Sequence, residues 1–418
     1  MGTARSLTIA ALSGIVGLST LFSAGAAAAG QSPPRGELVI ASLAPETGEY
    51  ATVIESLREP VKIAVDEINA AGGAAGGRAV RFVTADEGIE SRSVVEATQQ
   101  LIDTKQADAI MGPAASTSAL AILDTVKDAA LVCSGSNTAA QLTKDGPARS
   151  GGLYFRTSPP DRFQGPALAE LVLSEGRSDI GLLFPSDAAN GALARSVARS
   201  LERGGAKVTR ASVTPGGDPA EAVAQVLRTK PDAVVVTAGP ADGAAIVRAL
   251  IARGSGPGAL PIYGNDGLYD PGFAEDVDLG DPAVVAGLKG TVPAADPAGA
   301  DTAFDTTFAA TGIDPFFSSY YYDCTILTAL AAVKARSDDP QKMARAFPTN
   351  LKGKHDCSSY AECKDVLANG KSIHYRGASS TFDDWATSEP DGGTYDVWSY
   401  SPSAVAVLEP PQSQITIP

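Results

Sequence analysis

The chain has 418 residues, of which 44% are hydrophobic and 19% charged, with a formal net charge of −15. The length suggests two domains, and the apolar fraction is ordinary for a globular protein. The acidity argues against a nucleic-acid partner, which needs a basic face, and is read as a solubility feature.

Arg5 is the only charged side chain among residues 1–29, Leu7 to Phe22 is largely apolar, and Ala24 to Gly30 is small. A short positive region, an apolar core and an Ala-x-Ala site read as a secretory signal peptide. The core is too short for a membrane anchor, and no cysteine lies near the cleavage site to carry a lipid. Cleavage near Ala29 leaves about 389 residues, 418 less 29, in an exported chain that is periplasmic or extracellular.

Strand and helix then alternate. Leu38–Leu43 is an apolar strand, and Glu55–Ala70 a helix with Leu57, Val61, Ala64, Val65 and Ile68 on one face. The glycines at 72–73 and 76–77 follow a helix and precede a strand. That is the reverse of a dinucleotide fingerprint, so they are read as a helix C-cap and turn. Ala79–Thr84 is the second strand and Ser91–Lys105 the next helix; Ala109–Met111 and Leu131–Cys133 are strands around a third helix, from Ser116 to about Ala129. This is the βαβα pattern of a parallel sheet covered on both faces.

Both Ala109–Ser118 and Leu131–Thr138 run from an apolar strand into small hydroxyl residues. In an open α/β sheet, ligands bind beyond the carboxyl ends of the strands. The helix starting at Ser116 adds outward N–H groups that suit a carboxylate.

Tyr154–Thr157 leads through Ser158-Pro159-Pro160 into a second βα series. Its strands are Ile180–Phe184, Lys207–Ser212, Ala233–Thr237 and Pro261–Tyr263. Its helices lie near Arg162–Ser174, Gly191–Arg203, Pro219–Arg228 and Asp242–Arg253. Leu288–Val292 is a short strand positioned to cross back, Ser319–Arg336 a long helix, and Gly377–Tyr400 reads as β-rich. The tail after Pro402 reads as loosely held.

Cys357 and Cys363 bracket a five-residue loop and are expected to pair in an exported chain. Cys133 and Cys324 either form a second bridge, if the fold brings them together, or stay as two buried thiols. Only His355 and His374 exist and neither has metal-ligand spacing, so no zinc site is expected. There is no P-loop, no Gly-x-Ser-x-Gly elbow and no nucleophile–base pair, so neither a cofactor nor catalysis is expected.

Asp66-Glu67-Ile68-Asn69-Ala70-Ala71-Gly72-Gly73 with Gly77-Arg78, Gly112 to Ser118, Ser134 to Thr138, and Arg156-Thr157 with Asp161 and Gln164-Gly165 form an ordered set of motifs. Over roughly Glu37 to Trp398 the chain resembles the leucine/isoleucine/valine-binding proteins of ABC transporters, which have the type I periplasmic-binding fold. The resemblance implies an α/β protein of two Rossmann-like lobes with parallel sheets, joined by three crossing segments. The lobes are 37–157 with 291–378, and 158–290 with 379–418.

It also implies a small, amino-acid-like ligand, a membrane permease as partner, and a monomer. The ligand carboxylate falls to Ser116, Ser136 and Thr138. The ammonium group falls to Asp266, where leucine-binding members carry glutamate; a turn-capping aspartate is the competing reading. Tyr50 and Phe317 match ligand-facing positions. Asn190 stands where leucine binders have a tyrosine, which suggests a more polar or roomier pocket. For at least two of Tyr320, Tyr321 and Tyr322, packing is favoured over ligand contact. A ligand-sensing module for a membrane receptor is the alternative function.

Overall fold

The computed structural model describes residues 36–296 and 302–418. The expected signal peptide, residues 1–29, lies outside the described residues.

The first lobe alternates β1 (Leu38–Ala44), α1 (Ile54–Ala70), β2 (Val80–Asp86), α2 (Ser91–Asp103), β3 (Ala109–Met111), α3 (Ser116–Val126), β4 (Leu131–Ser134), α4 (Leu142–Arg149) and β5 (Tyr154–Arg156). The strands form a five-stranded sheet in the order β2-β1-β3-β4-β5, all parallel. On α1, Leu57, Val61, Ala64, Val65 and Ile68 are buried. The turn after α1 uses its glycines as expected: Gly73 has φ of +72°, and a Cβ there would lie 2.0 Å from the Arg78 carbonyl oxygen. The sheet order reverses between β1 and β3, so the loops after these strands flank a crevice.

The second lobe runs through α5 (Asp161–Ser174), β6 (Asp179–Pro185), α6 (Ala188–Arg203), β7 (Lys207–Val213), α7 (Ala220–Leu227), β8 (Ala233–Val236), α8 (Pro240–Ile251), β9 (Ile262–Gly264), α9 (Phe273–Val277) and β10 (Lys289–Pro293). Its parallel strands are ordered β7-β6-β8-β9-β10, with the reversal between β6 and β8.

The chain then returns to the first lobe as α10 (Ala303–Ala309), α11 (Ser318–Ala335), α12 (Pro340–Ala346), β11 (His355–Cys357), α13 (Tyr360–Ala368) and β12 (Ile373–Tyr375). Helix α11 is buried on nearly every side and shares one core with α1 and the first sheet. Finally β13 (Gly393–Tyr400), β14 (Ala406–Leu408) and β15 (Ile415–Ile417) extend the second sheet.

Four sequence expectations are corrected. Leu288–Val292 does not cross back: as β10 it pairs with β9 and β13, Thr291 lying opposite Val397, so the return begins after Pro293 rather than at 291. The final crossing falls after Trp385 rather than at 378/379, because Phe382 and Trp385 pack in the first core against Tyr375 and Phe347. Residues 377–392 are mostly irregular, and the tail after Pro402 instead supplies two strands, both paired with β13. Both cysteine pairs are bridged, Cys133–Cys324 with Cα atoms 5.6 Å apart and Cys357–Cys363 at 5.3 Å.

A buried ion pair clasps two of the crossings. Arg156, at the end of β5, donates Nε and Nη2 to Glu389 Oε2 at 2.9 and 2.6 Å, and its backbone N–H donates to Ser388 O. The guanidinium also donates to Asn137 O, Ala139 O and Thr143 Oγ1.

Candidate ligand cleft

A cavity of about 330 Å³ opens between the strand ends of the two sheets, at the lower end of the range for small-molecule sites. Tyr50, Ser116, Ser136, Thr138, Asn190, Asp266 and Phe317 all line it. The first lobe supplies Tyr50 from the loop after β1, Ser116 from the head of α3, Ser136 and Thr138 from the loop after β4, and Phe317 from the turn before α11. The second lobe supplies Asn190 from the first turn of α6 and Asp266 from the loop after β9.

The hydroxyls are not equivalent. Ser116 Oγ accepts from the Ala139 N–H at 3.2 Å, which leaves its own proton to donate. Ser136 Oγ donates to Ala114 O at 3.0 Å and lies 3.0 Å from the Tyr321 hydroxyl. The Thr138 hydroxyl lies beside the Asp161 carboxylate and acts to lower its pKa. At the head of α3, Glu87 reaches up from the end of β2 and accepts from the Ala114 and Ala115 N–H groups at 2.7 and 3.1 Å. The first-turn N–H groups of α3 still lack intrahelical partners, but a protein carboxylate already meets part of the positive end that the sequence suggested for a ligand.

Asp266 opens a short 3-10 turn, its Oδ1 accepts from Asn265 Nδ2 at 3.4 Å, and the Gln164 amide beside it acts to lower its pKa. Burial raises its pKa. Asp161, in the first turn of α5, is 5% exposed and its Oδ1 has no hydrogen-bond partner. Burial and then the nearby Asp266 charge push the Asp161 carboxyl up to about 7. Asn190 is held by the N-cap of α6: its Nδ2 donates to Asp187 Oδ2 at 2.8 Å. Tyr320 and Tyr321 are buried, with hydroxyls bonded to Ala294 O and beside Ser136, so they pack rather than line the cavity.

The cleft is closed. Thr52 Oγ1 donates to Asp270 Oδ2 at 2.7 Å, and the Ala241 N–H donates to Glu49 Oε2 at 3.3 Å, each bond crossing from one lobe to the other. Tyr50 approaches so near to Gly239 that a Cβ there would lie 3.0 Å from its hydroxyl oxygen. Glu49, Asp187, Asp242 and Asp270 also line the cavity and went unrecognised in the sequence. Glu49, Asp187 and Asp270 are single carboxylates on separate loops and Asp242 lies in the first turn of α8, with only the overall acidity as a signal.

Residues 37–356 match the family model described as periplasmic binding protein. The chain belongs to that family. It is a solute-binding protein with the type I periplasmic-binding fold, not an enzyme, and the family implies an extracytoplasmic location. Among the described residues no helix is long and apolar enough to cross a membrane.

The chain is 25% identical over 369 residues to the chemotactic signal transduction substrate-binding protein BasB of Halobacterium salinarum, covering 85% of each chain. The leucine-binding protein LivK of Thermotoga maritima has a similar fold, with a TM-score of 0.72 at 19% identity over 91% of this chain and 98% of that one. So does LivJ of Streptococcus pneumoniae, solved with isoleucine, with a TM-score of 0.68 at 20% identity over 89% of this chain and 99% of that one.

Proposed function

We propose that this protein captures an amino-acid-like ligand by closing its lobes around it, and that a membrane permease of an ABC transporter recognises the closed form. The observation that carries this reading is the opposition of Ser116 and Asp266, which face one cavity from different lobes. Ser116 and the first turn of α3 suit a carboxylate, with Ser136 and Thr138 shaping the loop beside it. Asp266 suits an ammonium group, Tyr50 and Phe317 supply walls, and Asn190 a polar side. A ligand that bridges both lobes favours the closed state by its differential contacts. In this reading the protein is exported through residues 1–29, works as a monomer in the periplasm or outside the cell, and binds without a cofactor.

A sensing role is the second reading, favoured by the likeness to BasB, a component of a chemotactic system. The same cleft would then report to a membrane receptor.

A thermal-shift screen against amino acids, short amides and carboxylates tests ligand capture. A ligand at a hundred times its dissociation constant adds about 2.7 kcal/mol of stability. A shift with α-amino acids that disappears in Asp266→Ala is the expected result. A shift only with carboxylates lacking the amine would remove Asp266 from the site.

A further inference from the structure

Six carboxylates line the cavity: Glu49, Asp161, Asp187, Asp242, Asp266 and Asp270. Among the described residues lining it there is no lysine or arginine. Asp187 is accounted for, because its two oxygens cap α6 and hold Asn190. The other five fall into two groups. Asp161 and Asp266 stand at the inner end, close enough for the charge of Asp266 to act on Asp161. Glu49, Asp242 and Asp270 stand at the mouth, where the last two act on Glu49. Tyr50 lies between and feels both Asp266 and the mouth carboxylates Glu49 and Asp270.

The negative charge is therefore spread along the cavity and not focused at one point. Among the described residues no three such side chains converge as metal ligands would. The mouth carboxylates each accept one or two hydrogen bonds from backbone or from Thr52, whereas the buried Asp161 Oδ1 accepts none. Glu87 adds a further carboxylate beneath the head of α3. A neutral zwitterion brings one cation to this field. Carboxylates crowded around a closing cavity whose lining holds no cation oppose closure, and a second cation would relieve them.

Resting on the reading of this cavity as the ligand site, we propose that its ligand carries two cationic nitrogens, one held by Asp161 and Asp266 and the other at the mouth among Glu49, Asp242 and Asp270. A basic α-amino acid or a short diamine has that chemistry. The basic amino acid would also use Ser116, and the diamine would not.

Titration calorimetry of the purified chain with ornithine, lysine, arginine, 1,5-diaminopentane and norleucine tests this. Norleucine has the carbon chain of lysine without its distal amine. At least one dicationic compound should bind about tenfold or more tightly than norleucine, the scale of one charge-assisted contact. Glu49→Gln, at an exposed position that leaves folding intact, should shrink that preference severalfold, and raising the salt should shrink it too. Tight diaminopentane binding without lysine binding would identify the diamine. Norleucine binding as tightly as every dicationic compound would overturn the two-cation proposal and leave the amino-acid reading standing. No binding of any of the five would overturn both.

Discussion

Thr52 and Asp270 are 218 residues apart in sequence, yet the Thr52 hydroxyl donates to Asp270 Oδ2 at 2.7 Å across the mouth of the cleft. Asp270 Oδ1 is held in its own lobe by the Gly272 N–H. The bond therefore exists only while the lobes are shut. It contributes to closure without lining the inner end of the cavity. Removing it with Thr52→Ala should weaken ligand binding about fivefold, consistent with about 1 kcal/mol for a partly exposed hydrogen bond. Calorimetry checks the affinity, and the unfolding midpoint of the ligand-free chain should change little.

The clasp between crossings makes a different prediction. Arg156 is fully buried and Glu389 is 3% exposed. Glu389→Ala strands a buried guanidinium and should cost about 3–5 kcal/mol. Urea unfolding measures it. A loss below about 1 kcal/mol would mean that Thr143, Asn137 and Ala139 satisfy the cation by themselves.

The Cys133–Cys324 bridge closes a 191-residue separation and ties β4 to α11 just ahead of the loop that carries Ser136. A Cβ on Gly135 would lie 2.7 Å from the Tyr321 backbone nitrogen, so helix and loop are in direct contact there. Replacing both cysteines by alanine should lower stability by about 2–5 kcal/mol and weaken binding through the loosened Ser136–Thr138 loop. Denaturant unfolding and calorimetry on the same variant separate the two effects.

Asp161 sets a pH dependence. Its carboxyl is raised from 3.8 to about 7 in the folded chain, by burial first and by Asp266 second, against the lowering effects of Thr138 and Arg156. The Asp161 charge also acts on the buried Tyr395. Between those two values the folded state holds a proton that the unfolded state has released, so this group's contribution to stability falls as pH rises. The stability of wild type relative to Asp161→Asn should therefore decline from pH 4 to pH 7 and level off above. A difference that is flat with pH would remove Asp161 as a titrating group.

The alternation of strands and helices was legible because apolar periodicity survives wherever an element packs against a sheet, as on α1. The hydroxyl loops were legible because small polar residues after an apolar strand leave few other uses. Helix α4 was not, since Gly146 and Pro147 interrupt it and only Leu142 and Gly146 are buried. Strands β14 and β15 are three residues each and owe their existence to β13, a partner that only tertiary structure supplies. The irregular course of 377–392 follows tertiary demands too, because Ser388 and Glu389 are committed to Arg156. The acidity of the cleft was hidden for the same reason: Asp161, Asp242 and Asp270 are gathered by the fold of the second lobe, and Glu49 joins them from the first lobe on closure. Charge read as solubility from composition is, in part, charge placed around a cavity.

In the proposed mechanism a ligand bridges the two lobes and holds them shut. Small-angle X-ray scattering of the chain with and without saturating ligand tests it most directly. Ligand-driven closure requires a smaller radius of gyration with ligand, and no contraction of Asp266→Ala at the same ligand concentration. An unchanged radius of gyration, with calorimetry showing wild-type cleft occupancy, would contradict it.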